Sequence, residues 1–268
     1  MTSVRTTWTV DSARSADGTP IAYETAGDGP PIVLVGGAFN DRSTTRALGT
    51  ALSADFTVYG YDRRGRGDSG DTGPYAVQRE TDDLAAVIEA AGGRAHVYGI
   101  SSGAILAAEA AAVGLPVTGL ALFEPPFRVD GHDGGAPADL AERLTGLVSA
   151  GRRGDAVALF LTAAVGVPAE GVEGMRRSPG WSWLEGLAHT LAYDCTVTGD
   201  GALPTARLAR VTAPTVVVDS TGSPPWLREA AGATAGAIPG ATHRSVPGGF
   251  HDVPPEDLAA EIRRFLLD

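Results

Sequence analysis

The sequence predicts an α/β protein: a mostly parallel sheet of roughly eight strands, with helices on both faces. Three observations carry that reading. Short runs rich in β-branched residues alternate with helix-patterned segments along most of the 268 residues. Several of those runs are continuously apolar, which suits strands buried on both faces. Between residues 126 and 208 the alternation stops and only helical patterns continue.

The elements follow in order. Residues 7–12 and 20–25 are extended runs around the turn signal Ser15-Ala-Asp-Gly-Thr19, which predicts a hairpin. Pro31-Ile-Val-Leu-Val35 and Phe56-Thr-Val-Tyr-Gly-Tyr61 read as strands, with a helical stretch over 43–53 between them. A helix over 79–91 places Leu84, Val87 and Ile88 on one face and stops at Gly92-Gly93. Strand 95–100, an alanine-rich helix over 102–112, and strands 117–123 and 212–218 continue the alternation, with a further strand starting near His243. The last helix, 254–267, carries Leu258, Ile262, Phe265 and Leu266 on one side. The helical stretch 126–208 holds two of the four tryptophans. It is expected to form a cap over the C-terminal edge of the sheet, where open α/β folds bind ligands. The core is then 1–125 and 209–268, with 126–208 inserted in it.

Composition narrows the chemistry. The charge sums to −11, and all 21 positive residues are arginines. Without lysine there is no Schiff-base or pyridoxal-phosphate anchor and no P-loop lysine. An acidic chain lacks the basic footprint of a nucleic-acid binder. The single cysteine, Cys195, cannot form an internal disulfide, and the five histidines do not fall at zinc-site spacings. The longest apolar stretch, 104–123, is interrupted by Glu109, Gly114 and Pro116, and the N-terminus has no signal-like apolar run. The expectation is a cytoplasmic, monomeric or homodimeric protein without metal or cofactor, acting on small molecules away from membranes and nucleic acids.

Gly99-Ile-Ser-Ser-Gly103 matches G-x-S-x-G, and its context gives the match weight. A strand ends at the first glycine and a helix starts just after Ser101, so the turn between them lifts the serine hydroxyl above the sheet. A nucleophilic serine needs a base, and His251 stands on the glycine-rich stretch Val246-Pro-Gly-Gly-Phe-His251 just before the last helix. His96, within a strand, and His132, in a glycine-rich loop, read as structural. Asp62-Arg-Arg-Gly-Arg-Gly-Asp68 reads as a turn in which arginines and aspartates pair, supporting the neighbouring serine turn, rather than as an anion site.

With these motifs in hand, the chain resembles the α/β-hydrolase superfamily over nearly its whole length. The resemblance rests on Val33-Leu-Val-Gly-Gly37, Tyr61-Asp-Arg-Arg-Gly-Arg-Gly-Asp-Ser69, Gly99-Ile-Ser-Ser-Gly103, Pro214-Thr-Val-Val-Val218 and Pro247-Gly-Gly-Phe-His251, in the family's order. It implies an α/β-hydrolase fold, Ser101 as nucleophile, His251 as base, and backbone N–H groups of Ala38 and Ser102 as the oxyanion hole. Gly36-Gly37 replaces the usual His-Gly. Where the family usually carries its acid, beyond the penultimate strand, this chain has Ser223. Glu124, at the end of Leu120-Ala-Leu-Phe-Glu-Pro-Pro126, is the replacement favoured here, and Asp219 is the alternative. A glutamate at that strand end resembles the branch containing zearalenone-type lactone hydrolases and related esterases. In that branch a cap tryptophan contacts substrate, which Trp181 matches. Gly37, Phe39, Phe127, Phe160, Trp183 and Leu187 complete the expected substrate lining; Met175 and Trp226 are further candidates.

The expected activity is hydrolysis of a carboxylic ester or lactone of a moderately apolar molecule through an acyl-enzyme. Carbon–carbon bond hydrolysis and cofactor-free haloperoxidase or perhydrolase chemistry use the same triad and stay open. So does a ligand-binding sensor with little turnover.

Overall fold

The computed structural model describes residues 6–129 and 136–267; His132 lies outside them. One sheet contains β1 (Thr9–Arg14), β2 (Pro20–Ala26), β3 (Pro31–Val35), β4 (Thr57–Tyr61), β5 (Ala95–Ile100), β6 (Val117–Phe123), β7 (Thr215–Ser220) and β8 (Thr242–Val246). Their spatial order is β1-β2-β4-β3-β5-β6-β7-β8. β1 and β2 form the expected antiparallel hairpin, and β2 runs antiparallel to β4. All remaining pairs are parallel.

The continuous apolar runs are explained by strand alternation between two covered faces. In β3, Ile32 and Leu34 pack with α1 (Arg46–Leu52) and α11 (Pro255–Leu266), through Leu48, Leu52, Leu258 and Ile262. Val33 and Val35 point the other way. They join Leu84, Val87 and Ile88 of α2 (Val77–Ala90), Leu106 of α3 (Ser102–Ala112) and Ala231 of α10 (Pro225–Ala237). The sequence pattern did not reveal α10, whose Ala/Gly-rich composition carries little periodicity. β7 begins three residues later than the apolar run predicts and continues through Asp219 and Ser220.

Between β6 and β7 lie α4 (Leu140–Ser149), α5 (Arg153–Phe160), α6 (Ala169–Arg176), α7 (Trp181–Leu187), α8 (Leu191–Thr198) and α9 (Thr205–Leu208). A five-residue π-helical segment, Leu161–Val165, continues α5. These helices build their own apolar cluster from Leu140, Leu144, Val157, Phe160, Leu161, Trp181 and Leu191. Ala38 and Phe39, from the loop after β3, pack against it, so the helical segment sits over the C-terminal edge of the sheet. Among the described residues no helix is long and apolar enough to cross a membrane.

Candidate active site

Ser101 occupies a sharp turn between β5 and α3, with φ 55° and ψ −126°. The glycines around it are required by contact rather than by flexibility. A Cβ on Gly99 would meet the Gly103 carbonyl oxygen at 2.4 Å, and one on Gly103 would meet the Val35 and Gly36 carbonyls at 2.4 and 2.5 Å. The loop after β3 also comes close, since a Cβ on Gly37 would lie 2.9 Å from the Ile100 carbonyl oxygen and 3.0 Å from Ser101 Cβ.

Glu124 follows β6 and is fully buried. Its Oε2 accepts hydrogen bonds from His251 Nδ1 at 2.7 Å and from the His251 backbone N–H at 2.9 Å. Its Oε1 accepts from the Ser220 N–H at 2.9 Å and from the Ser223 hydroxyl. Burial alone would raise the carboxyl pKa, but the bonds from His251, Ser223 and Ser220 outweigh it and hold the group below the ordinary glutamate value. Ser223, standing at the family's acid position, thus donates to the carboxylate instead of replacing it.

Asp219 is also buried, yet it does not approach His251. As an interior residue of β7, it points to the α10 face, opposite Val218 and Ser220. There its Oδ2 pairs with His243 Nε2 at 2.8 Å, and Arg228 lies 3.9 Å from Oδ1. The alternative acid is therefore engaged elsewhere.

Among the described residues, four non-glycine positions have φ in the left-handed region: Phe39 (59°), Ser101 (55°), Glu124 (49°) and His251 (51°). Each such position costs roughly 1–3 kcal/mol. All four meet at this one place. Phe39, Ser101 and His251 line a cavity of about 680 Å³, and Glu124 holds His251 from behind.

The cavity brings together Gly37, Ala38, Phe39, Ser101, Ser102, Phe127, Phe160 and His251 of the residues expected from sequence. Trp226 also lines it, with Phe250 beside His251 at a ring separation of 4.2 Å. Trp181, Trp183 and Leu187, also expected from sequence as substrate lining, are not among the residues that line it. The Trp181 indole is 7% exposed inside the helical cluster, donating from Nε1 to Glu185 Oε1 at 3.1 Å, with the Arg176 guanidinium over its ring. Leu187 is buried within the same segment, and Trp183 projects from the surface at 41% exposure. Met175 packs against that cluster too. The unanticipated walls are the π-helical residues 161–165, residues 136–138 with Leu140 and Ala141, and Arg128, Asp194 and Cys195. Burial pushes the Cys195 thiol up to about 12. The π-helix has no sequence signature, although such turns recur at functional sites.

The arginine-rich turn after β4 is an ion-pair scaffold. Arg42 pairs with Asp62 and Asp68, and Arg64 forks onto Asp83 with both bonds at 2.7 Å. Arg63 forks onto Glu80 at 2.6 Å, and Arg63 and Arg66 both reach Asp194 of α8. No cluster of three or more His, Cys, Asp or Glu side chains placed to hold a metal occurs among the described residues.

A serine on a strained strand-to-helix turn at the C-terminal edge of such a sheet defines the class: the chain belongs to the alpha/beta hydrolase family, whose model matches residues 32–263. It is similar to an alpha/beta hydrolase of Sphaerobacter thermophilus, at 50% identity and a TM-score of 0.91, covering 95% of this chain and 99% of that one. A hydrolase of Pseudomonas aeruginosa has 25% identity and a TM-score of 0.75, with 96% and 98% covered. A stretch of 91 residues is 40% identical to the protein of Azorhizobium caulinodans named "Putative carbamate hydrolase RutD", spanning 33% of this chain and 34% of that relative.

Proposed function

We propose that this protein hydrolyses a carboxylic ester or lactone of a moderately apolar small molecule through an acyl-enzyme. The observation that carries the reading is the 2.7 Å bond between Glu124 and His251 Nδ1, with the strained Ser101 in the same cavity. That bond holds the Nδ1–H tautomer and leaves Nε2 free to take a proton. Ser101 Oγ attacks the carbonyl carbon as its proton passes to His251 Nε2. The tetrahedral oxyanion is held by the Ala38 and Ser102 N–H groups. Collapse breaks the acyl C–O bond as His251 gives its proton to the alcohol oxygen; an ester's alcohol departs, whereas a lactone's stays tethered to the acyl-enzyme. Water then attacks the acyl-enzyme with His251 as base, and the acid departs as Ser101 recovers its proton.

Residues 126–208 act as the cap in this reading, over a core of 1–125 and 209–268. An apolar substrate is supported by Phe39, Phe127, Phe160, Leu161, Val165 and Trp226 around the cavity. The resemblance to lactone hydrolases extends to the place of Glu124 but is not carried to Trp181, whose indole serves the helical core.

The test is product formation from a panel of aryl esters and macrolactones, followed by chromatography with mass detection. The reading requires addition of one water to a panel member by wild type and none by Ser101→Ala. Absence of turnover on the panel, with tight binding of a panel member, would replace it by the ligand-binding reading.

A further inference from the structure

Asp194 lies on α8 of the helical segment, 92 residues beyond Ser102, and is 1% exposed. Its carboxylate accepts from the Ser102 hydroxyl at 2.7 Å, from Arg63 Nη1 at 2.8 Å, and from Arg66 Nη2 at 2.9 and 2.8 Å. Glu80 is the second buried carboxylate of the group; it binds Arg63 through both oxygens and accepts from the Tyr75 hydroxyl. Two buried cations thus face two buried anions. Burial opposes ionisation of Asp194, but Arg66, Arg63 and the Ser102 hydroxyl outweigh it and hold its pKa below the ordinary aspartate value.

The partners of this network are what set it apart from an ordinary tie between two layers. Ser102 carries one of the two N–H groups assigned to the oxyanion. The other belongs to Ala38, and it shares a planar peptide unit with the Gly37 carbonyl. Arg66 Nη1 donates to that carbonyl and, at 3.2 Å, to the Asn40 carbonyl. Arg63 Nη1 donates to the Gly36 carbonyl at 3.2 Å. In a trans peptide the C=O and N–H point in opposite directions, so an arginine that fixes the Gly37 carbonyl also fixes the direction of the Ala38 N–H. Asn40 Oδ1 accepts from the Gly37 N–H at 2.8 Å and closes the loop.

We propose that Asp194 is a positioning residue for the oxyanion donors. Through the Ser102 hydroxyl and the Arg63–Arg66 pair, a carboxylate supplied by the helical segment holds both N–H groups at the geometry the tetrahedral intermediate needs. The proposal rests on the serine-hydrolase reading above.

The test uses an alkyl fluorophosphonate probe, which needs no knowledge of the substrate. Ser101 Oγ bonds to phosphorus, fluoride leaves, His251 takes the serine proton, and the phosphoryl oxygen occupies the oxyanion position. The full chain is labelled as wild type, Asp194→Asn, Ser102→Ala and the double variant, with Ser101→Ala as blank. Intact-protein mass spectrometry then gives the maximal labelling rate and the half-saturating concentration separately, and near-UV circular dichroism checks the fold. The expected result is a maximal rate lowered about 10- to 100-fold in Asp194→Asn and Ser102→Ala, with half-saturation little changed. The double variant is expected to be no slower than the slower single one, because both break one chain of contacts. A folded Asp194→Asn protein labelled at the wild-type maximal rate, or altered only in half-saturation, overturns the proposal. If Asp194→Asn does not fold, Ser102→Ala decides: slowed labelling supports the proposal and wild-type labelling overturns it. An unlabelled wild type overturns the hydrolase reading itself, and the proposal falls with it.

Discussion

Replacing Glu124 by glutamine tests most directly the proposed role of this carboxylate as the partner of His251. The carboxylate accepts four hydrogen bonds, from the His251 N–H and Nδ1, the Ser220 N–H and the Ser223 hydroxyl. Glutamine keeps the shape but offers only one acceptor oxygen, and its NH₂ group faces donors. At His251 the consequence is chemical, because an amide NH₂ opposite Nδ1 favours the wrong tautomer. Loss of that control costs on the order of 10⁴ in kcat, equivalent to about 5.5 kcal/mol of transition-state stabilisation. The His251 backbone N–H, left facing the amide NH₂, adds about 1–3 kcal/mol of lost stability. Initial rates on an ester turned over by wild type, measured well below the variant's Tm, should show this fall in kcat with KM within about threefold. Asp219→Asn is the control: its pairing with His243 lies on the opposite face, so its activity should stay near wild type. A Glu124→Gln protein retaining more than a tenth of wild-type turnover, beside an Asp219→Asn protein slowed a hundredfold, would move the acid to Asp219 and refute the reasoning.

Three further outcomes follow from the same geometry. Trp181→Phe should lower stability by about 1–3 kcal/mol through loss of the Glu185 bond and indole packing, with KM unchanged; a large rise in KM would place the indole at the substrate. Ala163→Phe, on the π-helical wall of the cavity, should reduce kcat/KM for long-chain acyl esters about tenfold or more while sparing acetates; equal losses on both would remove that wall from substrate recognition. Asp194→Asn should destabilise the protein by about 3–5 kcal/mol at neutral pH, because Arg63 and Arg66 lose a buried counter-charge. Since folding lowers the Asp194 pKa, its stabilisation is complete above the unfolded value near 3.9 and is lost as pH falls through the folded value. The Tm difference between wild type and variant should therefore narrow on acidification below about pH 4, and an undiminished gap there would contradict the assignment.

Much of this protein is determined by its sequence alone, because the relevant signals are local. Alternation of strand and helix, the closely packed glycines at 99 and 103, and the prolines after Glu124 follow from backbone sterics within a few residues. They placed the sheet, the serine turn and the loop of His251 with little ambiguity. Mixed pairing of arginine with aspartate and glutamate around Asp62–Asp68 was legible as a type of contact but not by partner.

What only the tertiary structure decided depends on direction and long-range approach. Glu124 and Asp219 are both carboxylates at the same sheet edge; the left-handed turn just after β6 sends the first to His251, and strand pleating in β7 sends the second to His243. Whether the first tryptophan of α7 faces the cavity or the helical core depends on how α7 lies among its neighbours, and Trp181 packs into the core. The π-helical wall and the reach of Asp194 to Ser102 depend on packing between segments tens of residues apart. Local propensity has no term for such contacts. They arise because an apolar helical face must be buried and a buried charge must be paired, and only the assembled fold supplies the partner.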